Sequence, residues 1–474
     1  MEERSVNVRT GLRPHPGVCY NSRGICGETE QNPIRTRGVQ AMNIIDRVIR
    51  VPYVWETLRK LGLLQLKQKK DYQRMLAAKK EIDDRLAQKK ARGEQVNVLF
   101  VCHRPQLWTT LEGVYKTLKA DPLFHVQILA VPQRNKVKGR GFFNEHFESE
   151  GAEEFWKSEG CVPGYNYETG EWLDPRTLKP DYVFFQQPYN VARPDCLLSN
   201  EVSQYAKILY LTYYVMVDLD SRAEECTPVD FMRDMSFYFA QNEDDKKFME
   251  GRLEKGGPNV CQIPVTGHPR LERITEHIGE TCDLWHDPAS FKILWTPRWT
   301  TNEGACHFFS YGDALKKYCR ENEGIELMFR PHPQAFKEWK GTGEITEEDE
   351  RRIREEFSQG NFQLDESRNF YPQMFTSDVL ISDPSSMIID YFFTGRPIVY
   401  CANHGVNDGF VDVLKPGMYW LESWEEVEKV LDDLRRGIDP LKEIRAECAR
   451  RYQGSDGVRS TERIHEILRE DALK

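Results

Sequence analysis

Residues 377–401 read SDVLISDPSSMIIDYFFTGRPIVYC and limit the possible folds more than any other stretch. Val379–Ile381 is a short apolar run that predicts a buried parallel strand. The following Asp383-Pro384 pair favours a helix start, because Asp is a good N-cap and Pro suits the first helical position. Gly395 is placed to end that helix, and residues 398–401 predict the next strand. The stretch therefore predicts a strand–helix–strand unit of a parallel sheet.

Two serines, Ser385 and Ser386, lie in the first turn of this predicted helix. Free N–H groups and the positive end of the helix dipole favour an anion there, and the hydroxyls add hydrogen-bond donors. A purely structural alternative is that Asp383 and the serines only cap the helix. The stretch alone leaves both interpretations open.

A second predicted strand, 325–329, runs into the rigid turn Arg330-Pro331-His332-Pro333. A guanidinium can bind phosphate through two hydrogen bonds, and histidine is suited to proton transfer near neutral pH. Ligands of open parallel sheets lie beyond the carboxyl ends of the strands, so Arg330 and His332 could share a crevice with the serine turn. Alternatively, Arg330 forms a surface ion pair and His332 is a turn residue.

Together with two further segments, these stretches resemble a known family. The segments are ILWTPRW at 293–299, FRPHP at 329–333, the 377–401 unit, and VTGHPRL at 265–271. Over about 260–437 the chain resembles the CDP-glycerol glycerophosphotransferase family, the teichoic-acid and capsule polymerases and primases of bacterial envelopes. The resemblance implies a GT-B fold, in which two Rossmann-like domains face a cleft and the C-terminal domain holds the nucleotide. It also implies metal-independent transfer from a CDP-activated alditol phosphate, with no cofactor.

The chain departs from the family in one motif. Family members carry a Trp-His-Gly segment whose histidine is the proposed base, whereas the comparable strand here, 208–214, reads ILYLTYY. Either another residue is the base, or this branch uses a different donor or acceptor. The predicted reaction moves glycerol phosphate or a related alditol phosphate to a hydroxyl acceptor and releases CMP. A nucleotide-sugar glycosyltransferase of the same fold, acting in capsule or lipopolysaccharide synthesis, is the alternative.

The chain divides into five predicted parts. Residues 1–43 are polar and rich in Arg and Gly, which predicts a disordered N-terminus. Residues 44–93 predict a basic amphipathic helical segment, which either lies on an anionic membrane or packs on the protein itself. Residues 94–267 predict an N-terminal acceptor domain and residues 268–439 a C-terminal donor domain. A final helical segment, 440–474, is expected to return to the first domain.

Candidate site residues follow from the predicted strand ends. We expect strand-end polar groups of the first domain to bind a hydroxylated acceptor; these are His103, Gln187, Tyr189 and Tyr213. The donor diphosphate is expected to contact serine hydroxyls and guanidinium groups; these are Ser385, Ser386, Arg330, Arg298, Arg270 and Arg396. His332 or His268 is the expected acid or base, and Asp383 could orient His332. No metal ligands are predicted.

Composition narrows the setting. No run approaches 18 apolar residues and the first residues lack a signal-peptide core, so neither a membrane span nor export is predicted. The 12 cysteines form no C-x-x-C pair, which favours reduced thiols in a cytoplasm. A net charge of −10 argues against nucleic acid as a partner. The prediction is a cytoplasmic enzyme, with residues 44–92 as a candidate peripheral contact on the inner face of the membrane.

Overall fold

A computed structural model describes residues 63–134, 146–217, 219, 226–278, 283–301, 306–367, 369–402, 413–452 and 458–474. The predicted disordered segment 1–43 and residues 44–62 of the predicted basic helix lie outside this range. The strands are β1 Val96–Cys102, β2 Phe124–Ala130, β3 Val162–Pro163, β4 Tyr182–Phe185, β5 Lys207–Tyr210, β6 Met235–Tyr238, β7 Phe291–Thr296, β8 Ile325–Phe329, β9 Phe362–Leu364, β10 Val379–Ser382, β11 Ile398–Cys401 and β12 Tyr419–Leu421.

Helices occupy most of the connections between these strands. The helices are α1 Leu63–Arg92, α2 Trp108–Ala120, α3 Ala152–Phe155, α4 Ser199–Val202, α5 Val229–Met232, α6 Glu243–Gly256, α7 Pro269–Glu276, α8 Phe308–Glu321, α9 Ala335–Gly341, α10 Glu347–Glu356, α11 Tyr371–Thr376, α12 Met387–Phe392, α13 Trp424–Arg435, α14 Lys442–Arg450 and α15 Ser460–Ala472. Among the described helices, none is both long enough and apolar enough to cross a membrane.

Two parallel six-stranded sheets form the framework. The first has the order β3-β2-β1-β4-β5-β6, and the second has the order β12-β11-β10-β7-β8-β9. Every paired strand in both sheets runs parallel to its neighbour. Counted from its own first strand, each sheet follows the doubly wound Rossmann order, with a reversal between the first and fourth strands. The two Rossmann-like sheets predicted from the sequence are confirmed.

Both chain ends of the described region complete the core of the first domain. Ile82 and Leu86 of α1 pack with Phe100 of β1, and Ile464 and Leu468 of α15 join the same cluster. These side chains are at most 2% exposed. Apolar burial of this kind stabilises the folded state by roughly 25 cal/mol per Å² of buried surface. Because α1 and α15 both contribute buried side chains to this core, both helices are integral parts of the first domain.

The basic face of α1 also binds the first domain. Arg85 Nε donates to Asp181 Oδ1 at 2.8 Å, and Lys89 Nζ donates to Asp181 Oδ2 at 2.5 Å. Asp181 is fully buried, so the two cations compensate its charge. Of the two sequence interpretations of this segment, the structure shows packing on the protein itself for its second half. The membrane-contact prediction for residues 44–62 concerns residues outside the described range.

Candidate active site

The second sheet reverses its order between β7 and β10, and the predicted donor residues lie at that point. Pro297, Arg298 and Trp299 follow β7, whereas Asp383 follows β10. The two strands are direct neighbours, with Thr296 paired to Ser382. Thr296 Oγ1 donates to Ser382 Oγ at 2.8 Å at this edge. Crevices outside such switch points are the usual ligand sites of open parallel sheets.

Asp383 ties three groups together at the centre of this edge. Its Oδ2 accepts the backbone N–H of Arg298 at 2.7 Å and that of His307 at 2.9 Å. Its Oδ1 accepts from His307 Nδ1 at 2.5 Å. Asp383 does not cap the following helix, whose N-cap residue is Ser386, and it does not contact His332 as the sequence suggested. The carboxylate instead orients His307 and fixes the loop that carries Arg298.

His307 was not predicted from the sequence. It immediately precedes α8 and is 9% exposed, with its ring 4.6 Å from that of Tyr311. When the ring is neutral and Nδ1–H donates to Asp383, the lone pair is on the other ring nitrogen, Nε2. No local pattern marks this residue, because its partner is 76 positions away. Knowing that β7 and β10 are neighbours would have been the only useful signal.

The two serines present free donors at the same edge. Ser386 is exposed, and neither its hydroxyl nor the backbone N–H groups of Ser385 and Ser386 have a partner among the described residues. Ser385 Oγ accepts the N–H of Met387 at 3.2 Å. The helix that follows, α12, has only six residues. Such a short helix has a weak dipole, so an anion at this turn would interact mainly with these local donors.

Arg298 and His332 extend the site across β7 to β8. Arg298 Nη1 donates to the carbonyl of Pro384 at 3.1 Å, which places its guanidinium beside the serine turn. The His332 ring stacks on Trp299, with centroids 5.1 Å apart and an interplanar angle of 18°. Burial, and then the charge of Arg298, lowers the pKa of His332 below its ordinary value of 6.5. His332 Nδ1 accepts the N–H of Gln334, so the neutral ring carries its proton on Nε2.

Two arginines predicted to hold the donor have other partners. Arg330 forms an ion pair with Asp365 beyond β9, and its Nη2 donates to the carbonyl of Ser367 at 2.7 Å. Arg396 precedes β11, so it lies at the amino edge of the sheet, where its Nη1 donates to the carbonyl of Ser377 at 2.7 Å. The structure therefore brings Arg298, Ser385, Ser386, His332 and Asp383 together and leaves these two arginines out.

The first sheet has a similar arrangement at its own switch point, between β1 and β4. Gln186 Oε1 accepts the backbone N–H groups of His103 at 2.8 Å and Arg104 at 2.9 Å. His103 Nε2 lies 3.0 Å from Gln187 Oε1. Burial, and then the charges of Arg104 and Arg193, lower the pKa of His103 to about 3 despite the hydrogen bond to Gln187. His103 is therefore a neutral imidazole whose Nδ1 has no partner among the described residues.

The predicted tyrosines lie nearby on the neighbouring strand ends. Tyr189 and Tyr213 hydroxyls are 3.1 Å apart, and Cys226 Sγ is 3.9 Å from the Tyr213 hydroxyl. Burial raises the pKa of Tyr213 to about 12 and also raises the pKa of Tyr189. Both phenols therefore stay protonated near neutral pH and can donate to a ligand, but they cannot act as bases.

The segment predicted to cross between the domains carries His268 and Arg270. His268 is 2% exposed, and its Nε2 lies 2.9 Å from the carbonyl of Thr212 while its Nδ1 accepts the N–H of Arg270. With both ring nitrogens engaged, it cannot exchange a proton with a substrate in this arrangement. Arg270 forms an ion pair with Asp390 of α12 and donates to the carbonyl of Tyr213. Both predicted site residues thus join the two domains.

One group of side chains in the described ranges has a metal-ligand composition. Single ligand atoms of His307, Asp383 and Cys401 lie within 4.8 Å of one another. His307 and Asp383 are joined by a direct hydrogen bond of 2.5 Å, which leaves no room for a metal ion between those two ligand atoms. Burial, and then the Asp383 charge, raises the pKa of the Cys401 thiol, and metal binding requires a thiolate. The group fits a hydrogen-bonded pair better than a ligand set.

A comparison with protein families finds one match. Residues 253–410 match the family described as CDP-Glycerol:Poly(glycerophosphate) glycerophosphotransferase. These residues include the β7, β8 and β10 edges and their connecting turns. Over these residues the chain is similar to the glycerophosphotransferase family. The resemblance stated from the sequence motifs is confirmed, whereas a comparison with curated protein sequences finds no match.

Solved structures show which fold this chain shares. UDP-GlcNAc 2-epimerase from Neisseria meningitidis, bound to UDP-GlcNAc, has a TM-score of 0.52 at 13% identity, covering 79% of this chain and 100% of that one. The S. aureus MnaA–UDP structure has a TM-score of 0.50 at 12% identity, covering 80% and 98%. The wall teichoic acid polymerase TagF has a TM-score of 0.47 at 13% identity, covering 92% and 98%. The predicted GT-B architecture is confirmed.

Proposed function

We propose that this protein transfers glycerol phosphate, or a related alditol phosphate, from a CDP-activated donor to a hydroxyl of an envelope polymer. The main support is the cluster of free donors and one guanidinium at the β7–β10 switch point, inside the family-matched residues. A diphosphate needs such donors, because negative charge grows on the leaving phosphate as the bond breaks. We place the reaction at the cytoplasmic face of the membrane, where a lipid-linked or polymeric acceptor would be met.

The donor diphosphate would lie over the turn after β10. The N–H groups of Ser385 and Ser386, the Ser386 hydroxyl and the Arg298 guanidinium would contact its oxygens. His332 would contribute Nε2–H to the same charge, since its Nδ1 already accepts from Gln334. We propose that these donors act without a metal ion. Activity unchanged by excess EDTA, in buffers free of divalent ions, is the expected result, and restoration by Mg²⁺ alone would contradict it.

The chemical step is a substitution at phosphorus. The acceptor hydroxyl oxygen bonds to the β-phosphorus of the donor, the bond from that phosphorus to the bridging oxygen breaks, and CMP leaves with the bonding electrons. The hydroxyl proton must go to a base. His103 supports this role through its unpartnered Nδ1 in the first domain, whereas His268 has both ring nitrogens engaged. The His307–Asp383 pair would hold the Arg298 loop in place.

A donor panel tests the proposal. We would measure binding of CDP-glycerol, CDP-ribitol, UDP-GlcNAc and a CMP-sugar by calorimetry, and then assay CMP release with a poly(glycerol phosphate) acceptor. We expect CDP-alditols alone to bind and to release CMP. The Ser385→Ala/Ser386→Ala double variant should bind them more weakly, with Ser358→Ala, on an exposed turn, as control. Selective binding of the UDP-sugar would favour a glycosyltransferase and would contradict the proposed reaction.

A further inference from the structure

The first domain contains a polar pocket at the β1–β4 switch point. Its floor and walls include Val101, His103, Gln133, Phe185, Gln187 and Arg193. The pocket opens to solvent, and the space within and in front of its lining measures about 340 Å³. Three polar side chains of this lining are at most 8% exposed, those of His103, Gln133 and Gln187. The pocket is therefore lined partly by buried polar groups. Buried polar groups normally have hydrogen-bond partners, so their pairing is informative.

Arg193 is the charged group of this pocket, and no carboxylate pairs with it in the described parts of the chain. Its guanidinium lies 3.9 Å from the ring centre of Phe185 and 4.9 Å from that of Phe231. It donates to the carbonyl of Gln187 and, at 3.4 Å, to Asn190 Oδ1, both of which are neutral acceptors. Burial makes this cation costly, and the Asp230 carboxylate, which stabilises it electrostatically, forms no ion pair with it.

Neighbouring donors in the pocket are also unused. The Gln133 side-chain amide has no partner among the described residues, although the residue is 7% exposed. The Gln187 amide uses only its oxygen, toward His103. Burial lowers the pKa of Arg193 to about 9. An anion at this point would satisfy the amide donors and compensate the guanidinium at once.

We propose that this pocket binds an oxyanion of the acceptor, a phosphate group of its polymer chain, with Arg193 as the anchoring residue. The assignment to the acceptor rests on the proposed function, whereas the anion site itself does not. A phosphate held there lies next to His103, which carries the unpartnered ring nitrogen. Binding would therefore place an acceptor hydroxyl near a base and would stabilise the imidazolium that forms when the base takes its proton.

Histidine NMR can locate the anion without any activity assay. The 11 histidines would be labelled with ¹³C at Cε1, and the His103 signal assigned by its loss in His103→Gln. Inorganic phosphate should shift the His103 signal saturably. In Arg193→Met, which retains apolar packing between the two rings, binding at His103 should weaken about tenfold to a hundredfold. The control Arg176→Met removes a guanidinium that stacks on Tyr205 outside the pocket, and it should behave as wild type.

Each outcome decides part of the inference. An equal His103 shift in wild type and Arg193→Met, or shifts confined to His307 and His332, would overturn the site. If Arg193→Met does not fold, Arg193→Lys and Gln133→Leu serve instead, with reduced phosphate affinity expected in both. Of two further titrants, sn-glycerol 3-phosphate should reproduce the shift and glycerol should not. Response to free phosphate alone would overturn the acceptor assignment. A saturable shift without CDP-glycerol binding would keep the pocket and reject the transferase.

Discussion

At the scale of single residues, hydrogen bonding assigns different roles to histidines that look alike in the sequence. His332 carries its proton on Nε2, and His103 has Nδ1 free, whereas His268 uses both nitrogens within the protein. The RPHP and TGHPR motifs gave no indication of this difference. Hydrogen-bond partners decide which ring nitrogen carries the proton, and those partners are defined only in the folded structure.

His332→Phe should lower turnover of CDP-glycerol about 10²–10³-fold, because a donor to the developing charge is lost while the stack on Trp299 is kept. The unfolding free energy should change little. His277→Phe is the matched control, since His277 also stacks on an aromatic ring, that of Phe375, with centroids 5.3 Å apart. Equal losses of kcat in both variants would show that the effect is not specific to the site.

Asp383→Asn should destabilise the fold by about 3–5 kcal/mol, because a buried carboxylate that accepts three hydrogen bonds is replaced by a group that is half donor. Urea unfolding measures the change. Asp313→Asn is the control, since its side chain is 99% exposed in a surface pair with Lys316, and it should cost under about 0.5 kcal/mol. A stable Asp383→Asn variant would contradict the role assigned to this carboxylate.

His268→Gln should remove part of the acid sensitivity of the protein. Burial lowers the pKa of His268 from 6.5 to about 4, so the unfolded chain binds a proton that the native state excludes. Its neutral-state contribution is full above pH 6.5 and is lost as the pH falls toward 4. Between pH 7 and pH 5 the wild type should lose about 2 kcal/mol more than His268→Gln in urea unfolding. Parallel losses in the two proteins would contradict this.

At the scale of elements, apolar runs bounded by turn residues predicted strands of the second sheet correctly. Runs such as Val379–Ile381 and 325–329 became β10 and β8, and the acidic stretch 344–356 became α10, which starts at a capping box between Thr346 and Asp349. The segment 260–265 forms only isolated bridges, from Gln262 to Phe237 and from Val265 to Ala240. Pro264 within it lacks the N–H that a continuous ladder needs.

The helix after β10 shows what local signals could not give. Asp383-Pro384 predicts a capped helix start, yet the helix begins at Met387, because Asp383 binds a loop from the neighbouring strand instead. Whether Asp383 caps its own helix or binds the neighbouring loop depends on which strands are neighbours in the sheet. His307 and Arg193 were missed for the same reason, since each is defined by side chains from distant elements or by a pocket.

Helix α1 offers a direct test of its packed half. Leu86→Ala should destabilise the protein by about 2–4 kcal/mol, because Leu86 is 2% exposed in the first-domain core and its removal leaves a cavity. Leu76→Ala on the same helix is the control, since Leu76 is 38% exposed. Urea unfolding should show little change for the control. Equal small effects would mean that α1 is not part of the core.

At the scale of the whole molecule, the two domains are joined by charged pairs as well as by the chain. Arg270 and Asp390 have side chains 15% and 3% exposed, and Arg273 of α7 pairs with Glu112 of α2. Through α7, these two pairs connect the helix after β1 with the helix after β10. The positions of both candidate sites therefore depend on pairs that no local sequence pattern reveals.

Arg270→Met should destabilise the protein by about 3–5 kcal/mol, because it leaves the buried Asp390 carboxylate without its partner. Adding Asp390→Leu should recover much of that stability, since the uncompensated charge is then gone. The cycle is measured by urea unfolding of the single and double variants. An additive double variant would show that the two residues do not act as a pair.

The burial of α15 against α1 and β1 has a consequence for biosynthesis. A ribosome releases the first domain's strands long before residues 460–472 emerge, so that domain waits with Ile464 and Leu468 missing from its interior. The first domain can therefore complete its core only after the second domain has been synthesised. The second domain can fold before that. An expression vector for the isolated first domain would have to append residues 458–474 behind its last strand to obtain a well-folded product.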